Sequence, residues 1–143
     1  PKDEAAAVGW FRKAAELGNT QAMVRLALIF AKPGTPRRDF DAAARWLKKA
    51  AAQGDGMAMM HMAKLNDDGI GVERNPREAA RYLLDALKTG AWTALAEAAR
   101  FSADARRELQ ARLRQSGHYA GLMDGQIGPE TRAAMVEFAK AGA

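Results

Sequence analysis

The sequence predicts an all-α protein: a right-handed α–α superhelix of about three helix–turn–helix repeats, followed by a small C-terminal helical module. Two observations predict it. Alanine supplies 33 of the 143 residues, whereas valine, isoleucine and threonine together supply 12. Alanine is the strongest helix former, and β-branched residues favour strands. The chain also repeats itself every 36 residues. Trp10, Trp46 and Tyr82 share one column, as do Phe11, Leu47 and Leu83; Ala14, Ala50 and Ala86; Gly18, Gly54 and Gly90; Ala22, Ala58 and Ala94; and Met23, Met59 and Leu95. Units of this length pair two helices, cannot bury their apolar faces alone, and therefore stack.

Each element has its own signal. The first helix of a block carries the aromatic residue, with a small Ala four positions on and on the same face, so that a neighbouring helix can approach. The column places Trp10, Trp46 and Tyr82 in the repeat core. Gly18, Gly54 and Gly90 end these helices as left-handed caps. Asn19 and Asp55 then stand where the next helix needs an N-cap. Second helices are expected over about 20–31, 56–66 and 91–101, with Met59, Met62, Ala63 and Leu65 at helical spacing. Of Met57, Met60 and His61, about one should face solvent. The linkers are turn chemistry: Pro33, Gly34 and Pro36 in the first, Gly69 and Gly71 in the second, where Asp67 and Asp68 read as turn and cap residues. Pro76 sits just inside the following helix, where its missing N–H costs nothing. Trp92 takes the place held by Thr20 and Gly56, and is expected to be buried against the C-terminal segment.

After residue 101 the register stops. Ser102 is placed to cap a helix running to about Ser116 and closed by Gly117. Leu109 and Leu113 form its apolar stripe, with Arg106, Arg107, Arg112 and Arg114 largely elsewhere on its surface. A loop with an Asp124–Gly125 turn and a second flexible point at Gly128 leads to a final helix. Pro129 opens that helix, Glu130 suits its dipole, and Ala134, Met135 and Phe138 are its apolar positions. The chain therefore divides into a repeat region, 1–101, and a terminal module, 102–143, too short to stand alone and expected to cap the stack.

The motifs resemble two known families. Gly69-Ile70-Gly71-Val72, Asn75, Ala79, Tyr82 and Gly90, with Trp46, Lys49, Ala50, Ala51 and Gly54, resemble Sel-one-like repeats, relatives of the tetratricopeptide repeat. The first linker lacks the Gly-x-Gly-Val element, and the third block, with Asp85-Ala86-Leu87 where Lys-Ala-Ala is usual, is a divergent terminal repeat. The chain opens in mid-pattern, which reads as the C-terminal piece of a longer protein. Leu109, Gln110, Leu113, Gly117, Tyr119, Gly121, Asp124, Gly125, Gly128, Thr131, Ala134 and Phe138 resemble the peptidoglycan-binding-like domain of bacterial envelope proteins, although Ala139 replaces that family's Gln. The resemblance implies a protein or peptide partner on the concave face of the solenoid, and peptidoglycan as a second ligand. For glycan contact it points to Tyr119 stacking on a sugar, with His118, Gln126 and Arg132 as polar contacts. Gly121, Asp124, Gly125 and Gly128 are expected to shape the loop. A periplasmic or envelope location follows, or a cytoplasmic one if the parent lacks an export signal. The other reading is a regulatory C-terminal region of a larger enzyme, such as a caspase-like protease, with a vestigial glycan site.

Other function classes find little support. Cysteine is absent, which removes disulfides, thiol nucleophiles and Cys-ligated metals. His61 and His118 are the two histidines, without the spacing of a metal site; His61 reads as a partly buried or surface residue. No Ser lies in a nucleophile elbow and no Gly-rich loop has phosphate-binding spacing. The expectation is therefore no catalytic residue, no metal and no cofactor. The net charge of +5 is spread along the chain, without the basic stripe that nucleic acid requires. No apolar run approaches the ~18–20 residues of a membrane span.

Overall fold

The computed structural model describes residues 2–32 and 39–142, with the side chains of residues 2–4 excepted. The Pro33, Gly34 and Pro36 turn of the first linker lies outside the described residues. Eight α-helices follow one another, with no strand among the described residues: α1 (Lys2–Glu16), α2 (Thr20–Ala31), α3 (Phe40–Ala52), α4 (Gly56–Asp68), α5 (Pro76–Lys88), α6 (Thr93–Glu97), α7 (Ala103–Gln115) and α8 (Pro129–Ala141). A 3-10 turn, Ala98–Arg100, continues α6. From α1 to α5 each helix packs on the next in sequence, giving a helical repeat solenoid.

The helix starts are set by side-chain caps. Asn19, Asp39, Asp55, Asn75 and Ser102 each accept a bond from the backbone N–H three residues on, at 2.8–3.1 Å. Each such cap contributes about 1 kcal/mol. The third block departs from the expected pattern at this point. Ala91 occupies the column of Asn19 and Asp55 and offers no acceptor, and α6 has no side-chain cap. The expected helix over 91–101 accordingly shrinks to one short helix and a 3-10 turn.

The core is alanine-rich. Ala43, Ala50, Ala58, Ala63, Ala79, Ala94 and Ala98 are wholly buried between larger side chains such as Met23, Leu26, Met62, Leu83 and Leu87. The aromatic column is only partly core. Tyr82 is buried and Trp46 packs half-buried, but Trp10 is 71% exposed. The physical reason is position: α1 packs chiefly on α2, so the ring has no covering helix. Met57 is exposed, whereas Met60 and His61 are half-buried. Trp92 is not covered by the terminal module either; it is 49% exposed beside the end of α8.

Two features join the terminal module to the stack. Helices α7 and α8 both pack on α5, and a single apolar core runs from Ala15 to Ala139. The carboxylate of Asp67, at the end of α4, is buried and accepts from both the backbone N–H and the hydroxyl of Ser102, at 2.7 and 2.5 Å. Arg74 reinforces the joint: its Nε donates to the Asp67 carbonyl at 2.9 Å, and its Nη2 reaches Ser102 Oγ at 3.1 Å and Asp104 at 3.3 Å. Asp67 is thus more than a turn residue.

The second linker turns sharply at Gly69 and Gly71, both in the left-handed region at φ 70° and 73°. A Cβ on Gly71 would run into the carbonyl of Phe40 at the start of α3. A Cβ on Gly18, at φ 95°, would meet open space. Gly71→Ala is therefore expected to lose roughly 2–4 kcal/mol through strain plus clash, and Gly18→Ala only about 1–2 kcal/mol through strain alone. Urea unfolding of the two variants checks this; equal losses would remove the clash from the account.

Candidate functional site

Two concave surfaces carry the sequence-derived expectations. The first is a groove of about 400 Å3 between α2 and α4, bounded by Val24, Arg25, Leu28, Asp55, Met57 and His61. Leu28 and Met57 are 47% and 57% exposed there. The Asp55 carboxylate is engaged as the α4 cap. His61 Nε2 is shielded from solvent and has no hydrogen-bond partner among the described residues. Burial pushes the His61 imidazole below its ordinary pKa, and the nearby Asp55 charge offsets this only in part. The ring is therefore neutral at neutral pH, and its Nε2 is closed off from the open side of the groove. The groove combines apolar side chains with a few polar groups, as binding surfaces do.

The second is a depression of about 260 Å3 on the 118–128 loop, walled by Tyr119, Leu122, Asp124, Gln126, Glu130 and Thr131. Its foundation is Gln110, wholly buried on α7. The Gln110 carbonyl oxygen accepts from Gly125 N–H at 2.8 Å. Its amide nitrogen faces the Gln126 carbonyl at 3.0 Å, Thr131 Oγ1 at 3.2 Å and Asp124 Oδ1 at 3.3 Å. Asp124 also accepts from Gln126 N–H at 2.9 Å. One amide thereby closes the loop onto both α7 and the first turn of α8. Gly125 holds φ 78°, as the Asp–Gly turn requires.

The expected glycan residues divide. Tyr119 and Gln126 meet at the depression, but Tyr119 is 8% exposed and its hydroxyl donates to the Leu122 carbonyl. At that exposure the ring leaves too little open face for a sugar to stack on, which corrects the stacking expectation. Gly121 is required by that ring, because a Cβ there would sit 2.6 Å from the Tyr119 hydroxyl. His118 lies elsewhere: its Nδ1 pairs with Ser116 Oγ at 2.8 Å and its ring meets Phe138 edge-on at 5.8 Å. Arg132 is exposed on α8 and does not line the depression. Gly128 is extended, at φ −92° and ψ −171°, with open space at its Cβ. Any residue adopts that conformation, so Gly128 does not shape the loop; extended backbone there simply suits the Pro that follows. Sequence reasoning gave Gln110 no role, although it adjoins the Leu109–Leu113 stripe, where an uncharged polar residue must find partners.

An α-solenoid of paired helices, finished by a small helical module around a buried glutamine, defines a repeat protein of the binding type. The chain belongs to the Sel1 repeat family: it matches the Sel1 repeat over residues 1–19, 20–55 and 56–87. Residues 102–141 match a putative peptidoglycan binding domain. The repeat boundaries at 20 and 56 keep the 36-residue period and begin each unit at α2 and α4. No curated protein sequence matches the chain. Among solved structures, a Sel1 repeat protein from Oxalobacter formigenes is similar over 97% of this chain, at 21% identity and a TM-score of 0.66. A protective antigen of uropathogenic Escherichia coli strains displaying an SLR fold is similar over 94%, at 20% identity and a TM-score of 0.59. The chain spans 49% of the first and 31% of the second.

Two predictions follow from the glutamine knot. Gln110→Leu strands the buried Gly125 N–H and should destabilise the chain by about 2–3 kcal/mol in urea titrations. Asp124 is held below the usual carboxylate range, first by the Gln126 N–H and then by Gln110. Its folded carboxyl is harder to protonate than the unfolded one. Its contribution is therefore complete above the usual carboxylate range and is lost as pH falls through the lowered folded value. An NMR titration of the Asp124 carboxyl should show that depressed midpoint, moving upward in Gln110→Leu.

Proposed function

We propose that the chain is a non-catalytic adaptor of the bacterial envelope, gripping a protein partner through its repeats and peptidoglycan through its terminal module. The observation that carries this reading is the fusion itself: one core joins a peptidoglycan-binding-type module to a repeat stack whose α2–α4 groove stays open. Exposed Leu28 and Met57 beside Gln21 and Arg25 suit a peptide segment with apolar and polar side chains. In the terminal module, Gln126 is the proposed glycan contact at the loop, and Tyr119, Gly121, Asp124 and Gly125 hold its shape. The envelope location follows from the module's class.

Co-sedimentation of the purified chain with insoluble peptidoglycan sacculi tests the reading. Retention that survives a moderate-salt wash is the expected result. No retention, or retention that salt abolishes, would overturn it. The terminal module would then be only the cap of the solenoid, in a regulatory region of a larger protein with a vestigial glycan site.

A further inference from the structure

An aromatic ring available to a sugar lies outside the loop. A separate depression of about 270 Å3 opens where the end of α5 meets the end of α8, with Leu87 and Ala139 as an apolar floor and Trp92, Lys88, Thr89 and Lys140 around the rim. Trp92 is 49% exposed, and its indole N–H has no partner among the described residues. Its backbone is fixed: its N–H donates to the Gly90 carbonyl at 2.9 Å, and its carbonyl accepts from Leu95 N–H at 3.1 Å. A large half-open ring on a fixed backbone loses little entropy on binding.

The charges around the ring have one sign. Lys88 lies 4.6 Å over the Phe138 ring and makes no ion pair among the described residues. Among the described residues Lys140 pairs only with Glu137, at 3.8 Å and with both side chains about two-thirds exposed, a pair of little worth. No side-chain carboxylate lines the depression among the described residues. The surface thus offers an aromatic face, an indole donor and two ammonium groups. Its complement must bring an apolar ring face, acceptor oxygens and negative charge.

We propose that this depression is a binding site for a carboxylate-bearing saccharide, with a sugar ring on Trp92 and its carboxylates at Lys88 and Lys140. The inference rests on the peptidoglycan reading above and adds a contact outside the expected loop. Peptidoglycan has the required chemistry, being a polymer of N-acetylated sugars carrying acidic substituents. An extended basic track, which single-stranded nucleic acid needs, is missing here. The site is composite, with Lys88 and Trp92 from the repeat side and Lys140 from the terminal module. This also gives Trp92 a reason to break the repeat column held by Thr20 and Gly56.

The test uses the full chain and insoluble sacculi, with polyglutamate-coated beads as a sugar-free polyanion. Trp92→Ala is expected to cut sacculus retention about tenfold, a loss of ~1.4 kcal/mol. Trp92→Phe should keep most of it. A Lys88→Gln, Lys140→Gln pair should remove the salt-sensitive part of binding. Circular dichroism melts matched to the parent protein separate lost contact from lost fold. Should Trp92→Ala bind sacculi as well as the parent while remaining folded, the site is overturned and the adaptor reading survives. Equal capture on polyglutamate beads overturns it as mere charge attraction. If the parent protein itself is not retained, the adaptor reading fails and the site fails with it.

Discussion

Everything beyond residue 88 depends on α5 being apolar over more than half its circumference. Ala79, Ala80, Tyr82, Leu83, Leu84, Ala86 and Leu87 are all buried, whereas a surface helix usually buries a narrower stripe. That wide arc lets α5 be covered by α4 on the repeat side and by α7 and α8 on the other. The remaining strip is left to charge, where Arg81 bridges Glu78 and Asp85. A narrower stripe would have finished the stack at the third block and left the terminal module without a surface to fold on. The two helices of the module bury their apolar stripes against this shared helix, within the one core.

Polar ties then fix geometry that apolar packing leaves loose. The Asp67–Ser102 pair sets where α7 begins, and Gln110 sets how the loop returns to α8. Both are buried and directional, so each specifies one arrangement where sliding apolar surfaces would permit several. Their cost if broken is the desolvation of a stranded group, which is why they act as determinants of shape more than as sources of binding energy.

Much of this was legible in the residues. The 36-residue columns, the Asn19, Asp55 and Ser102 caps, the Gly69 and Gly71 turn and the Pro129 start all act through local backbone chemistry, which a sequence carries openly. The failures share a cause: they needed to know what lies across space. Trp10 and Trp46 occupy one column, yet only a neighbouring helix decides which is covered. Tyr119 looks like a sugar platform until Leu122 and Gly121 are seen to close around it. Gln110 and Asp67 gained their roles from partners 15 and 35 residues away, beyond any periodic signal. The shrinkage of α6 was readable, because Ala91 lacks the acceptor that its column requires.

The Asp67–Ser102 clamp and the shared face of α5 hold the terminal module at two separated places. A single attachment would allow the module to swivel; two forbid it. The molecule is consequently a ruler rather than a leash: the α2–α4 groove and the surfaces of the terminal module stand at one set spacing and one set angle. An occupant at one end would be presented to the other in a constant orientation, because packed helix faces and no slack segment join α4 to the terminal module.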